Sequence, residues 1–339
     1  MRAVLLLGHG GFEQLEFRVD VRVPQPAAGE VLIRIGAAAV NNTDINTRTG
    51  WYAHAIDADS GWTGAKPQFP RIQGADACGR VVAVGAGVAP QRIGERVLIE
   101  PVFRVPGDGA RPRAIYFGSE HDGAFAQYAT VPAGSAHRIA SALSDVELAS
   151  FPCSYSAAEN MLTRLELQPG ATVLITGASG GVGSAAVQLA KRRGANVLAL
   201  AGAAKAELVG ALGADRLFAR DADLVAQLGR ESIDAVIDVV GGAQFGVLLE
   251  LLRRGGAYAV AGAIAGAAVS LDLRTLYLKD LRLLGCTVLE PQVFPNLIGY
   301  IERGEIRPVI ASVHPLSAIV AAQEAFLAKR HTGKIVLVP

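Results

Sequence analysis

At about 150 residues per domain, 339 residues make roughly two domains. With 32 Lys plus Arg against 31 Asp plus Glu, the formal charge of +1 gives no field to steer the chain toward nucleic acid or anionic lipid. A chain that is 51% apolar buries a large core, which excludes disorder, and its apolar runs are short and broken by charge, which argues against a membrane span.

The first 140 residues read as strands and turns, with the clearest β-branched runs at 31–35, 79–84 and 95–100 and no sustained helical period. From residue 141 helix and strand alternate. Ser144 and Glu147 have the S-x-x-E spacing of a capping box. A helix is expected through the 150s to Leu165, closed by Pro169-Gly170. Strands are expected at 172–176, 196–200, 216–219, 234–240 and 257–261, with helices at 184–193, 205–212, 221–228 and 244–253 between them. Strands separated by helices of this length need crossovers, hence a parallel sheet, so 141–288 reads as a doubly wound α/β domain. Beyond it a helix near 296–303 leads to strand, helix and a final apolar strand, 334–338, expected to pair with a sheet. Cys78, Cys153 and Cys286 are odd in number and far apart, so they form neither a disulfide framework nor a C-x-x-C zinc site. Without a charged-then-apolar leader, a cytoplasmic chain is the expectation.

Ala178, Ser179, Gly180, Gly181, Val182 and Gly183 form an A-x-G-x-x-G variant of the dinucleotide fingerprint, on the first strand-to-helix turn of the α/β series. Gly180 would let a pyrophosphate approach the helix N-terminus, and Gly183 would let the helix lie close to the strand. An NAD site places Asp or Glu at the end of the second strand, but here the stretch 200–205 reads LAGAAK. Lys205, with Arg220 after the third strand, is placed to attract a 2′-phosphate, so NADPH is the expected cofactor; the competing role for both is a solvated surface charge.

From GHGG at 8–11 through PAAGEVLIRIGAAAVNNTD at 26–44, GADACGRVVAVGAGV at 74–88, IGERV at 93–97, DGAFAQYATVPA at 122–133 and TGASGGVG at 176–183 to HTGKIVLVP at the C-terminus, the chain resembles the medium-chain dehydrogenase/reductase superfamily, in its zinc-independent quinone oxidoreductase branch. The resemblance implies a GroES-like, partly open β-barrel from 1–140 and 289–339, with a Rossmann domain, 141–288, inserted and an active site in the cleft between them. It matches Val240, Gly241, Ala261 and Gly262 to positions lining nicotinamide and ribose, adds Cys286 and Val288 as cofactor contacts, and makes Cys286-Thr287-Val288 an edge strand of a homodimer.

Carried over, the catalytic zinc ligands of the superfamily's alcohol dehydrogenases fall on Asn41, Ala75 and Cys153. Zinc needs three protein ligands with N, S or anionic O donors, and Ala75 offers none, so no metal is expected. His54 and His121, with Asp44 and Asp76, show no ligand spacing. Without a Lewis acid the reaction must suit an easy hydride acceptor, such as a quinone or an α,β-unsaturated carbonyl. Asn41 is then a candidate amide donor to the substrate carbonyl, or a turn-stabilising amide. Tyr52 is a candidate phenolic donor, or a packed aromatic, while Asp44 is placed with the catalytic set although anchoring backbone suits it better. Trp51, Trp62 and Phe69 are expected to form an aromatic wall or a satellite core, beside long loops at 53–68 and 103–120. Two other readings share these residues: an enoyl-thioester reductase, and a catalytically idle NADPH-binding protein.

Overall fold

The computed structural model describes residues 1–53, 66–105 and 113–339. His54, Trp62 and the middle of each long loop lie outside the described residues.

The chain divides into two compact units, Met1–Cys153 with Ile301–Arg303 and Arg307–Pro339, and Ser154–Tyr300 with Gly304–Ile306. The first boundary thus falls after residue 153, where 141 is expected from the sequence. The segment before it is tied to the first unit: Arg96 Nε donates to Asp145 Oδ1 at 2.7 Å, and the Cys153 amide donates to Asp76 Oδ1 at 2.6 Å. The helix Val293–Glu302 belongs mostly to the second unit, where the Tyr300 hydroxyl donates to Glu159 at 3.3 Å.

The first unit is built on a mixed sheet around the strand Glu30–Ala39, which pairs antiparallel with Asp76–Val84, Tyr128–Pro132 and Lys334–Val338. Its run VLIRIGAAA is apolar on both faces at most positions, as a strand with neighbours on all sides requires. Its core packs Ile33, Phe103, Phe117, Phe125 and Ile335 together. The final strand takes the place expected for it, with Ile310–Pro315 as its other neighbour. Pairing of Val336 with Ala39, and the Val40 amide on the Ile335 carbonyl at 2.9 Å, bring Lys334 to the start of the next segment, Asn41. One element was not expected: Asn42–Thr49 is an α-helix. Its sequence NTDINTRT has no apolar stripe to give a period, so its ends define it, Asp44 accepting the Asn41 amide at one and Gly50, at φ +69°, closing the other.

The second unit holds a six-stranded sheet in the order Arg216–Phe218, Asn196–Leu200, Thr172–Ile175, Ile233–Asp238, Leu252–Val260, Arg282–Gly285, with every pairing parallel. In chain order this is 3-2-1-4-5-6, the Rossmann arrangement, and it reverses direction at Thr172–Ile175. The capping box forms as expected, Ser144 Oγ accepting from the Glu147 amide at 3.2 Å and Glu147 accepting from the Ser144 amide at 2.8 Å. The edge strand is Arg282–Gly285, so the expectation of a strand at 286–288 is corrected. Cys286 makes one last amide bond to the Val260 carbonyl, and the chain then leaves the sheet, with the Val288 carbonyl taken by the Asn160 side chain. Among the described residues no helix is long and apolar enough to cross a membrane.

Candidate functional site

In the first unit, Asn41, Asp76 and Lys334 meet below the surface, at 6%, 0% and 4% exposure. Asn41 Nδ2 donates to Asp76 Oδ2 at 2.8 Å and to the Ala39 carbonyl at 3.2 Å. Its Oδ1 accepts from Lys334 Nζ, which also lies 2.7 Å from Asp76 Oδ2. A carboxylate only accepts and an ammonium only donates, so the two partners fix which way the amide points. Both amide hydrogens of Asn41 therefore have acceptors inside the protein. The expected role of Asn41 as amide donor to a carbonyl is not what this geometry prepares; the residue is the hub of a buried network.

Two arms leave that hub. On one side Asp44 Oδ2 accepts the Asn41 amide at 2.7 Å and Oδ1 the Gly74 amide at 3.2 Å, and burial pushes the Asp44 carboxyl up to about 7. The helix that Asp44 starts carries Thr43, whose Oγ1 accepts from the Tyr52 hydroxyl at 3.3 Å. On the other side Asp76 Oδ1 holds the Cys153 amide, and Cys153 Sγ lies 3.1 Å from the Tyr116 hydroxyl. Burial raises both phenols above the ordinary tyrosine value and pushes the Cys153 thiol up to about 12, so all three keep their protons at neutral pH. The half-buried Tyr52 stacks edge-on against Trp51 at 5.5 Å, while Phe69 packs edge-on against His9 at 5.0 Å.

Lys334 and Tyr116 were not singled out in the sequence. The signal for Lys334 is a lone cation heading the otherwise apolar strand KIVLV; for Tyr116, one aromatic among several, there is none.

In the second unit the turn 177–180 follows the central strand at the point where the sheet order reverses. A Cβ on Gly183 would stand 2.2 Å from the Gly177 carbonyl oxygen, so only glycine lets this helix lie against the turn. Gly180, the N-cap of the helix Gly181–Arg192, is exposed, and a Cβ there would meet nothing closer than that carbonyl at 3.4 Å. The fold leaves this space open, and the first-turn amides of Gly181, Val182 and Gly183 belong to the region where a helix has no partners of its own for N–H groups. Ala178 and Ser179 are buried, with the Ala178 amide on the Leu200 carbonyl at 3.1 Å.

Asp238, fully buried at the end of its strand, accepts from Thr176 Oγ1 at 2.5 Å, from the amides of Val240 and Gly241 at 2.8 and 3.1 Å, and from the Tyr258 hydroxyl. Gly241 and Gly242 have φ of +67° and +74°, and a Cβ on either would stand 2.8 Å from a carbonyl oxygen of the 265–266 segment. A Cβ on Gly262 would lie 2.9 Å from the Val239 carbonyl. These glycines were expected to make room for cofactor; the close approach they permit is first of all to the neighbouring loops. Ala261 is exposed beside them, its amide on the Asp238 carbonyl at 3.2 Å.

No carboxylate stands at 201–205 after the second strand. Lys205, partly buried there, has its pKa lowered by burial and by the nearby positive charge of Arg220. The Arg220 guanidinium reaches 3.7 Å from where a Cβ on Gly202 would be, so two cations gather at the end of the second strand.

Residues 27–141 match the alcohol dehydrogenase GroES-like domain and 181–303 the zinc-binding dehydrogenase domain. An acryloyl-coenzyme A reductase of Metallosphaera sedula is 31% identical, over 99% of each chain. The chain belongs to the medium-chain dehydrogenase/reductase superfamily. It is an oxidoreductase by that membership, with an α/β fold of GroES-like and Rossmann parts. The human quinone oxidoreductase is 28% identical over 99% of this chain and 97% of its own. Among solved structures, a Sinorhizobium meliloti protein assigned as an alcohol dehydrogenase superimposes with a TM-score of 0.93 at 46% identity, covering 100% of this chain and 96% of that one. A cobalt- and zinc-bound thermostable alcohol dehydrogenase from Pyrobaculum aerophilum gives 0.86 at 31%, covering 100% and 99%.

Superfamily members bind NAD or NADP, and the open Gly180 turn and its helix N-terminus fit such a nucleotide. Zinc is a different case. Ala75 has no donor atom, and the Asn41 amide oxygen and the Asp76 carboxylate are held by an ammonium. Among the described residues no three His, Cys, Asp or Glu side chains come together as metal ligands. This donor set does not fit zinc.

Proposed function

We propose that the protein is a zinc-independent, NADPH-dependent oxidoreductase that reduces a quinone or an α,β-unsaturated carbonyl. The observation that carries the reading is the gathering of Lys205 and Arg220, with no carboxylate, at the strand end next to the open Gly180 turn. A 2′-phosphate finds two cations there, whereas an NAD-specific site would offer an acid. The nucleotide, when bound, supplies the hydride.

The first unit supplies polarity and a proton. Hydride addition to a conjugated carbonyl places negative charge on its oxygen, and one well-placed donor is worth about 3 kcal/mol in the transition state. Tyr52 is the donor: its phenol is half-buried, protonated at neutral pH, and donates a long 3.3 Å bond to Thr43. Asn41 and Asp44 act on position, holding the helix from which Tyr52 is braced. Exposed apolar side chains on and near the edge strand, Leu283, Leu273 and Tyr277, support a homodimer formed along that edge.

A second reading, reduction of an enoyl thioester, is favoured by the likeness to an acryloyl-coenzyme A reductase. Oxidation of NADPH against a panel of quinones, enones and enoyl thioesters tests both. Turnover confined to thioesters selects the second reading, and silence across the panel despite tight NADPH binding leaves a binding protein without catalysis. With an active acceptor, Tyr52→Phe is expected to lower kcat about 100-fold at unchanged NADPH affinity; an unchanged kcat removes Tyr52 from the reaction.

A further inference from the structure

Asn160, on the helix Pro152–Arg164 and 1% exposed, reaches two main-chain groups far along the chain. Its Nδ2 donates to the Val288 carbonyl at 3.2 Å, and its Oδ1 accepts the Glu290 amide at 3.0 Å, 128 and 130 residues on. A side-chain amide carries the same donor and acceptor as a peptide unit. In a parallel ladder one residue bonds the carbonyl before and the amide after the residue it faces, which is this pattern around Leu289. Asn160 thus stands in for one residue of a further strand, with the Leu289 side chain buried beside it. Arg164, one turn along the same helix face, donates to the Gly285 carbonyl. One helix therefore holds the segment 285–290 at both ends, just where the sheet has stopped at Gly285.

That segment lies at the carboxyl end of the sixth strand in the order 3-2-1-4-5-6. A dinucleotide crosses such a sheet with one mononucleotide half on each side of the reversal. Lys205 and Arg220 gather at the end of the second strand, so the half with the 2′-phosphate belongs on that side and the nicotinamide half over strands four to six. Thr287 and Val288 are exposed there, and their amides have no partner among the described residues.

We propose that Asn160 is a positioning residue for the nicotinamide half of the cofactor. By bonding the carbonyl of Val288 and the amide of Glu290, it fixes the main chain on both sides of Leu289 and leaves the amides of Thr287 and Val288 as donors for the carboxamide oxygen. The segment is then ordered before the nucleotide arrives, so binding does not have to order it. This rests on the nucleotide part of the proposed function and gives Asn160 no part in the transfer itself.

The test compares two ligands of the full chain, NADPH and adenosine 2′,5′-bisphosphate, which lacks the nicotinamide half. Asn160→Ala, and Asn160→Leu, which keeps the buried volume, are expected to weaken NADPH about tenfold while the bisphosphate stays within about twofold of wild type. A residue needed only for the fold would lower Tm without separating the two ligands. Hydrogen exchange in wild type gives the second reading, independent of whether the variants fold. Without nucleotide the Glu290 amide is expected to exchange slowly and those of Thr287 and Val288 fast; NADPH slows the latter two and the bisphosphate does not. Equal losses for both ligands, unchanged NADPH affinity in a folded variant, or no slowing at Thr287 and Val288 with NADPH bound would overturn the role of Asn160 and leave the nucleotide reading standing. Wild type that fails to bind NADPH would overturn both.

Discussion

The Tyr258 hydroxyl donates to Asp238 Oδ2, which also accepts from the Gly241 amide at 3.2 Å, while Oδ1 takes the Val240 amide at 2.8 Å. A phenol 20 residues on, from the neighbouring strand, thereby steadies the turn that follows the fourth strand of the Rossmann sheet. Tyr258→Phe removes a hydrogen bond to a charged acceptor, a loss of about 1.5–3 kcal/mol. It is expected to lower Tm and to weaken NADPH binding, read by nucleotide fluorescence. A lowered Tm with unchanged nucleotide affinity would assign the pair to the fold alone.

Gly180 and Gly183 belong to one motif but serve different purposes, and alanine separates them. A methyl at Gly183 meets the Gly177 carbonyl at 2.2 Å, so backbone must shift, at a cost of about 1–3 kcal/mol. At Gly180 the nearest atom is 3.4 Å away, and stability is expected to change by no more than about 0.5 kcal/mol. Gly180→Ala should nevertheless weaken NADPH about tenfold or more, because the methyl fills space kept for the pyrophosphate. Melting curves beside nucleotide titrations decide this; unchanged affinity in Gly180→Ala would place the pyrophosphate elsewhere.

Lys205 and Arg220 should matter for one nucleotide and not the other. Charge-assisted hydrogen bonds contribute about 1.5–3 kcal/mol, so Lys205→Ala and Arg220→Ala are each expected to weaken NADPH about 10- to 100-fold while leaving NADH within twofold. Equal losses for both nucleotides would show that these cations do not read the 2′-phosphate.

The legible parts of this molecule are those governed by local rules. The strand Asn196–Leu200 and the terminal Lys334–Val338 fall at the expected residues, because apolar β-branched runs and flanking glycines carry their ends. Gly183 was legible too, since the motif states a steric need. Asn41 was legible as a polar residue at a cleft position in the resemblance, but its amide's partner, Lys334, comes from 293 residues away and is set by strand register alone. The helix Asn42–Thr49 was missed for a related reason: a polar helix defined by its caps leaves no hydrophobic period. The expected strand at 286–288 does not form: the edge strand stops at Gly285, and the Val288 carbonyl is taken instead by the Asn160 side chain, 128 residues distant in sequence.

Asp44 gives a pH signature. Its carboxyl is raised from 3.8 to about 7 by burial, so the folded protein holds a proton that the unfolded chain has lost between those values. Its contribution to stability is fully present below pH 3.8 and falls as pH rises toward 7, at no more than about 1.4 kcal/mol per pH unit. Asp44→Asn cannot titrate and lacks this component. The difference in Tm between wild type and Asp44→Asn is therefore expected to shift in the variant's favour as pH rises from 4 to 7. A difference that stays constant across that range would show that Asp44 is ionised throughout.

The most direct test is the initial rate of nucleotide oxidation after exhaustive chelation, with NADPH and NADH compared at equal, subsaturating concentration and a benzoquinone and a simple enone as acceptors. The expected result is turnover with NADPH at least about tenfold faster than with NADH, unaffected by chelation. Equal rates with the two nucleotides, or activity lost on chelation and regained with zinc, would contradict it.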